Sequence, residues 1–430
     1  MLMVPIVHVI GQGGILAAAV PFSIQYESAW MLMSFVLVAV NCFILITGYV
    51  YYGKETKYYR LATLWIEVLF YSVIILLLFY FMFPTQLGFE DIWKNIIPTF
   101  FTEGQFSRYW FFTAYVGMFL ISPFVNMALK HFNKKQDLAA FLSLFIIFSL
   151  LPTILNQDRA FNLNQGYGVL WFVVLYYTGG LLHKYEIFKK LKSNKWLLIY
   201  IVCSLISWSI RYILESLGLI ETGFGLYSFN CYLSPLYFIG GIALFCVFKN
   251  IKITKSFSIS MIKFFAPVCF GVYLIHDNML VDKYVLAKKF AFLANMDPIS
   301  MIIGIILVGV GIFVVCSLID WIRELLFRKL KVKSRLANLE KNIYLKFDNY
   351  LSWIVIIFFF LKCLMYFSNI HDILQYLYQK KQFTSYGYDN RCWKHANVDY
   401  GSLNFKNWLY NSDDVNVWNF PLTQDNRQAS

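Results

Sequence analysis

Charge is scarce in this chain. Asp, Glu, Lys and Arg make up 14% of 430 residues, against 59% apolar and 20% aromatic residues. A soluble domain of that length would be left with an apolar surface, so the composition excludes one. The mean hydropathy of +0.58 agrees. Other absences narrow the chemistry. The eight cysteines (Cys42, Cys203, Cys231, Cys246, Cys269, Cys316, Cys363 and Cys392) contain no CxxC pair and fall mostly in apolar runs. They read as small buried hydrophobes, not as metal ligands or a disulfide framework. No P-loop, GxGxxG or HExxH pattern offers the chemistry of soluble nucleotide or metal enzymes. No charged segment precedes the first apolar run, so a cleavable signal peptide is not expected. Neither a 20–50-residue repeat nor an inverted symmetry between halves is visible, which argues against a repeat-built transporter.

What the chain has instead is a series of membrane-length apolar runs. A spanning helix needs about 20 largely apolar residues. Ten candidates emerge, near 1–20, 30–52, 60–83, 109–129, 137–155, 167–183, 196–214, 229–248, 264–282 and 300–321. The connecting segments test that count through the excess of Lys and Arg on the cytoplasmic side. Segments 53–60, 130–136, 183–195, 249–263 and 322–335 together carry 21 Lys and Arg, and the alternate set carries 6. The expectation is an all-α polytopic membrane protein of about ten transmembrane helices, with both ends of its core cytoplasmic. The net charge of +13 is therefore an orientation signal, and no nucleic-acid partner is implied.

The membrane domain is expected to cover 1–335. Within it, Pro84 to Arg108 is partly apolar and fits an interfacial helix, while Asn156 to Gly166 reads as a solvated outer loop. Residues 336–385 form a basic linker with one further apolar run, Leu351 to Phe367, read as interfacial with an eleventh span as the alternative. Residues 386–430 are polar, without apolar periodicity, and are expected to be a disordered tail in which Cys392 and His395 have no role.

Ionisable groups inside the spans stand out, because one at mid-helix costs roughly 2.5–3.5 kcal/mol on insertion scales. His276, followed by Asp277, ends the run FFAPVCFGVYLIHDNML from Phe264 to Leu280, with Tyr273 three residues earlier. His8 lies in MLMVPIVHVIGQGGIL. Counted at 1.5 Å per residue, His8 is roughly 18 Å from the outer face, and His276 lies near or beyond the midplane. Glu67 falls about 10 Å inside the third helix, which opens with Lys57 and Arg60. A buried acid can orient a histidine or hold it protonated; the alternative is an ion pair with Arg60 or Lys57. For His276 the alternative is a neutral ring bonded to a neighbour. Two histidines, an acid and a cytoplasmic cation pair suit acyl transfer: histidine takes the proton of an attacking hydroxyl, and cations hold the donor's phosphates. Channels and transporters also use intramembrane His and Glu.

Taken together, FGVYLIH (Phe270 to His276), NCFILITGYV (Asn41 to Val50), RYWFFTAYVGMFLISPFVN (Arg108 to Asn126), His8 and KYYR (Lys57 to Arg60) resemble the acyltransferase-3 family of integral membrane O-acyltransferases over about 1–335. The resemblance implies a ten-helix fold in the plasma membrane, an acyl-CoA donor (usually acetyl-CoA) on the cytoplasmic side, and a surface polysaccharide or lipid-linked glycan precursor as acceptor, with no metal. It makes His8 the expected general base, His276 a helper and Glu67 a further candidate. Lys57 and Arg60 match the family's RxxR-like element for coenzyme A, although Lys lacks the bidentate fork of Arg. Tyr273, Arg108 and Trp110, within the matching stretches, are read as acceptor contacts, with anchoring at the membrane interface the other reading for Trp110. The family also carries an Arg eleven residues before its histidine, so the resemblance implies that helix 1 continues upstream of Met1. The tail has no counterpart in the family. The alternative function is a multi-helix exporter of glycan or lipid, with His276, Asp277 and Glu67 lining its path; a structural subunit is a third.

Overall fold

The computed structural model describes residues 1–82, 109–155, 161, 163–220 and 229–346. The expected interfacial helix in 84–108, most of the 156–166 loop, the 351–367 run, the tail, Arg108, Cys363, Cys392 and His395 lie outside them. Among the described residues the regular structure is helical throughout.

The first helix is broken. α1 (Met3–Ile10) stops at the Gly-rich Gly11–Gly14, and a single turn, α2 (Ile15–Ala18), resumes after Gly14 at φ 90°. An unwound backbone at membrane depth needs partners. Here the carbonyls of Gln12 and Gly13 accept N–H groups of Lys288 (2.9 Å) and Phe290 (3.0 Å). α3 (Ile24–Val36) starts at Ser23, whose hydroxyl accepts the Tyr26 N–H at 3.2 Å, and α4 (Ala39–Tyr51) continues it after a short irregular turn.

The remaining long helices follow the apolar runs: α5 (Tyr58–Met82), α6 (Trp110–His131), α7 (Lys134–Phe145), α8 (Val169–Lys184), α9 (Ser193–Ser216), α10 (Pro235–Asn250), α11 (Ser256–His276) and α12 (Pro298–Lys329). A full capping box of Asn133 and Gln136 starts α7, and Asp297 caps α12 ahead of a proline at its first position. α13 (Val332–Lys346) lies in the expected linker, beyond the expected membrane domain, except for its first residues.

Each of the ten expected spans overlaps at least one of these helices, which leaves the number that cross the bilayer to their length and hydropathy. Seven spans have the length and hydropathy to cross a bilayer: Ile24–Tyr51, Tyr58–Met82, Trp110–His131, Lys134–Leu155, Ser193–Ser216, Ser256–His276 and Pro298–Lys329. The segment Met3–Ala18, α8 and α10 fall short of that length. Their shortness matches their burial. In α8, every residue from Trp171 to Leu182 except Val173 is buried, so it needs no lipid-facing side. Outer helices do the reverse, leaving Phe81, Phe124 and Leu307 more than 60% exposed, as lipid-facing side chains are.

Two close helix contacts set the geometry. α8 packs on α4 so tightly that a Cβ at Gly48 would lie 2.0 Å from the Tyr176 carbonyl oxygen, the small-residue approach common within membranes. α12 is flanked by α11 and α1, and Gly309 of α12 faces the Ile6 side chain. That second contact carries the ends of α1 and α11 to one place.

Candidate active site

The two intramembrane histidines meet. The rings of His8, in the last turn of α1, and His276, the last residue of α11, have centroids 4.9 Å apart at 48°. The depth separation expected from uniform helical rise does not hold. The break after Ile10 invalidates counting from Val20, and α11 starts at Ser256, eight residues before the expected 264.

His276 is 1% exposed, and its Nδ1 lies 2.5 Å from the Val272 carbonyl oxygen. A carbonyl can only accept, so Nδ1 carries the hydrogen and Nε2 presents its lone pair. Among the described residues that Nε2 has no hydrogen-bond partner, which suits a group that waits for a ligand.

Asp277 is the acid beside His8. One carboxylate oxygen lies 3.7 Å from His8 Nδ1, with 17% of the His8 side chain and 7% of the Asp277 side chain exposed. The turn carrying Asp277 is pinned on both sides. Its own N–H donates to the Tyr273 carbonyl at 3.0 Å. Asn278 accepts the Leu280 N–H at 3.0 Å, and its amide donates to the Tyr109 hydroxyl at 3.0 Å. Tyr109 in turn donates to the Leu274 carbonyl at 2.7 Å and sits at φ 59°, a conformation a bulky residue keeps only when its surroundings enforce it. Tyr273 is part of the wall here, its ring 5.8 Å from both Tyr109 and Phe111.

Glu67 belongs to a different cluster. Arg323 of α12 lies 3.3 Å from Glu67, grips Asp320 with two nitrogens at 2.7 and 2.8 Å, and reaches Glu324 at 3.0 Å. The Tyr71 hydroxyl completes it with a 2.6 Å bond to Asp320. Neither Lys57 nor Arg60 pairs with Glu67, and none of the described contacts joins Glu67 to either histidine. The Asp320 carboxylate lies against Gly271, where a Cβ would come within 2.0 Å, so this cluster braces α11 five residues before His276.

Lys57 and Arg60 flank the first turn of α5. Lys57 is exposed, and Arg60 lies over the rings of Tyr51 (5.2 Å) and Tyr59 (6.0 Å). Glu340 of α13 caps this turn through the Tyr58 and Tyr59 N–H groups at 2.8 and 3.4 Å. Neither cation has a carboxylate within 4 Å among the described residues, which leaves both able to meet an anion. Trp110 stands with Tyr167 (4.3 Å) and near-parallel to Tyr232 (5.7 Å, 23°). Among the described residues no three His, Cys, Asp or Glu side chains are arranged to hold a metal ion.

Asp277 is the site residue that sequence reasoning left off its list. Its signal was adjacency to His276, but adjacent helical residues normally point apart. The end of α11 at His276 removes that constraint.

The fold is that of a multi-pass helical membrane protein with two histidines paired between helices. The family pattern described as an acyltransferase domain matches residues 1–321, about three quarters of the chain, and the chain belongs to this acyltransferase-3 family. No curated protein matches the chain, and no solved structure does. The chain is thus a multi-pass membrane acyltransferase, and the exporter and structural-subunit readings give way to it.

Proposed function

We propose that this protein moves an acetyl group from acetyl-CoA to a hydroxyl of a cell-surface polysaccharide or its lipid-linked precursor in the plasma membrane. The observation that carries the reading is the pairing of His8 with His276, side chains 268 positions apart, at the junction of α1 and α11. Two histidines in contact inside a membrane protein, one of them fully buried, are costly to keep without a use.

In the proposed step, His8 Nε2 accepts the proton of the acceptor hydroxyl as its oxygen attacks the thioester carbonyl. The carbon–sulfur bond breaks, the coenzyme A thiolate leaves, and the proton passes from His8 to it, giving an ester and a free thiol. The lone pair of His276 Nε2 accepts a hydrogen bond from a second, neighbouring hydroxyl of the acceptor and so aligns it. Lys57 and Arg60 hold the phosphates of the donor from the cytoplasmic side. Tyr273 shapes the wall beside the histidines, and Trp110, with Tyr167 and Tyr232, offers an aromatic face suited to a sugar ring. Arg108, next in the chain to Tyr109, is assigned to the acceptor as well. Glu67 stands outside this step, bracing α11 through Arg323.

The test uses a strain lacking the chain, complemented with wild-type protein or His8→Ala. Transfer of label from radioactive acetyl-CoA to surface glycan should appear with the wild type and fall about a thousandfold, to a small residual rate, with the variant, while both reach the membrane in equal amount. Full labelling with His8→Ala rules the reading out.

A further inference from the structure

We infer that Asp277 is the positioning residue of this centre, fixing the tautomer of His8 and stabilising the imidazolium that forms when His8 takes a proton. The inference rests on the reading of His8 as general base and adds a residue to it.

The argument starts from what each ring nitrogen faces. The Asp277 carboxylate faces His8 Nδ1 at 3.7 Å, longer than a hydrogen bond, and its negative charge favours the tautomer that carries the hydrogen on that nitrogen. That leaves the His8 lone pair on Nε2, the nitrogen turned away from Asp277. The distance is an ion-pair contact at rest, and such contacts tighten as charge develops on the ring. His276 has no equivalent support. Its Nδ1 is committed to the Val272 carbonyl, a neutral dipole, and the ring is 1% exposed, so a charge there would be stranded. Of two imidazoles in contact, only His8 has a counter-charge, and this assigns it the proton transfer.

Asp277 is also held well enough to do this. It follows the last residue of α11, its N–H is bonded to Tyr273, and the next residue is locked by Tyr109 and Leu280. An orienting group needs such a fixed support, because a displacement near 1 Å forfeits most of the benefit. Asp277 touches no reacting atom in this scheme; it acts through His8.

The test reconstitutes full-length protein in liposomes with labelled acetyl-CoA and the alkali-treated, hence deacetylated, saccharide fraction of the deletion strain. Asp277→Asn keeps the shape, loses the charge and can favour the wrong tautomer. Its kcat should fall by about a hundredfold or more, with KM for acetyl-CoA changed less than about threefold. Asp277→Glu should recover at least about a tenth of the wild-type kcat. In a His8→Ala background, adding Asp277→Asn should cost no more than about threefold further, because a residue acting through His8 has nothing left to act on. The inference is overturned if Asp277→Asn keeps kcat within threefold, if the loss falls on KM alone, if Asp277→Glu does no better than Asn, or if the double variant loses a further tenfold. Should Asp277→Asn fail to insert, the kcat-to-KM split of Asp277→Glu decides: a fall in kcat at constant KM supports the role, and a change in KM alone removes it. Wild-type turnover in His8→Ala would remove the reading of the base itself. A dead His8→Ala beside an unimpaired Asp277→Asn would remove only this inference.

Discussion

Arg323 holds three carboxylates at once, those of Glu67, Asp320 and Glu324, while being 2% exposed. Removing the cation from such a set leaves buried charge uncompensated, which costs about 3–5 kcal/mol, whereas neutralising one acid at the edge of the set costs less. Arg323→Met should therefore lower the thermal aggregation midpoint of detergent-solubilised protein sharply. Glu67→Gln should lower it less and keep kcat within about threefold; a large kcat loss in Glu67→Gln would instead tie it to the histidines. At this scale the sequence singled out the ionisable residues inside apolar runs and was poor at pairing them. His8, His276 and Glu67 stand out because ionisable groups in apolar runs are costly. The partner of Glu67 could not be read off locally, because nearby Lys57 and Arg60 compete on paper with an Arg 256 positions away. The Asp320 and Arg323 spacing of three, one face of a helix, was the overlooked signal.

At the scale of elements, the helices themselves were legible from apolar run length, but their ends were not. The run 1–20 reads as one helix on hydropathy, yet Gly11, Gln12, Gly13 and Gly14 break it, and the broken strand of backbone is satisfied by Lys288 and Phe290 from a distant segment. That break sets where His8 lies, so the depth expected from helical rise failed at the point where it mattered. Close helix approach is the other element-scale feature. At Gly48 an added methyl would strike the Tyr176 carbonyl, a backbone atom that cannot move aside, whereas at Gly311 it would enter open space. Gly48→Ala should cost about 1–3 kcal/mol by forcing α4 from α8. Gly311→Ala, inside α12, should be neutral or stabilising by up to about 1 kcal/mol, since Gly is a poor helix former. Comparing the yield and melting of the two variants checks the contact; equal behaviour would mean that the α4–α8 approach is looser than described.

For the whole molecule, the decisive quantity is the distribution of cations between the two ends of the bundle. Helix count and orientation are linked: one helix more or fewer would send every later loop to the opposite face and erase the 21-to-6 split of Lys and Arg. The short helices α8 and α10 do not disturb this, because each still carries the chain from a segment poor in cations to a basic one. A consequence follows for the chemistry. Lys57 and Arg60 fall on the basic face, from which the proposed donor would approach. Trp110 begins a helix whose other end, Lys130 and His131, is basic, so it falls on the opposite face, that of the proposed acceptor. In the proposed step the histidine pair is where donor and acceptor meet. Single cysteines in a cysteine-free background test this arrangement with a membrane-impermeant maleimide. Positions Lys192 and Lys331, both exposed between helices, should react only in inverted vesicles. Positions Val20 and Asn295, exposed at the other end, should react in intact cells. Labelling of Lys192 and Val20 from the same side would break the alternation, and with it the assignment of donor and acceptor to opposite faces of one centre.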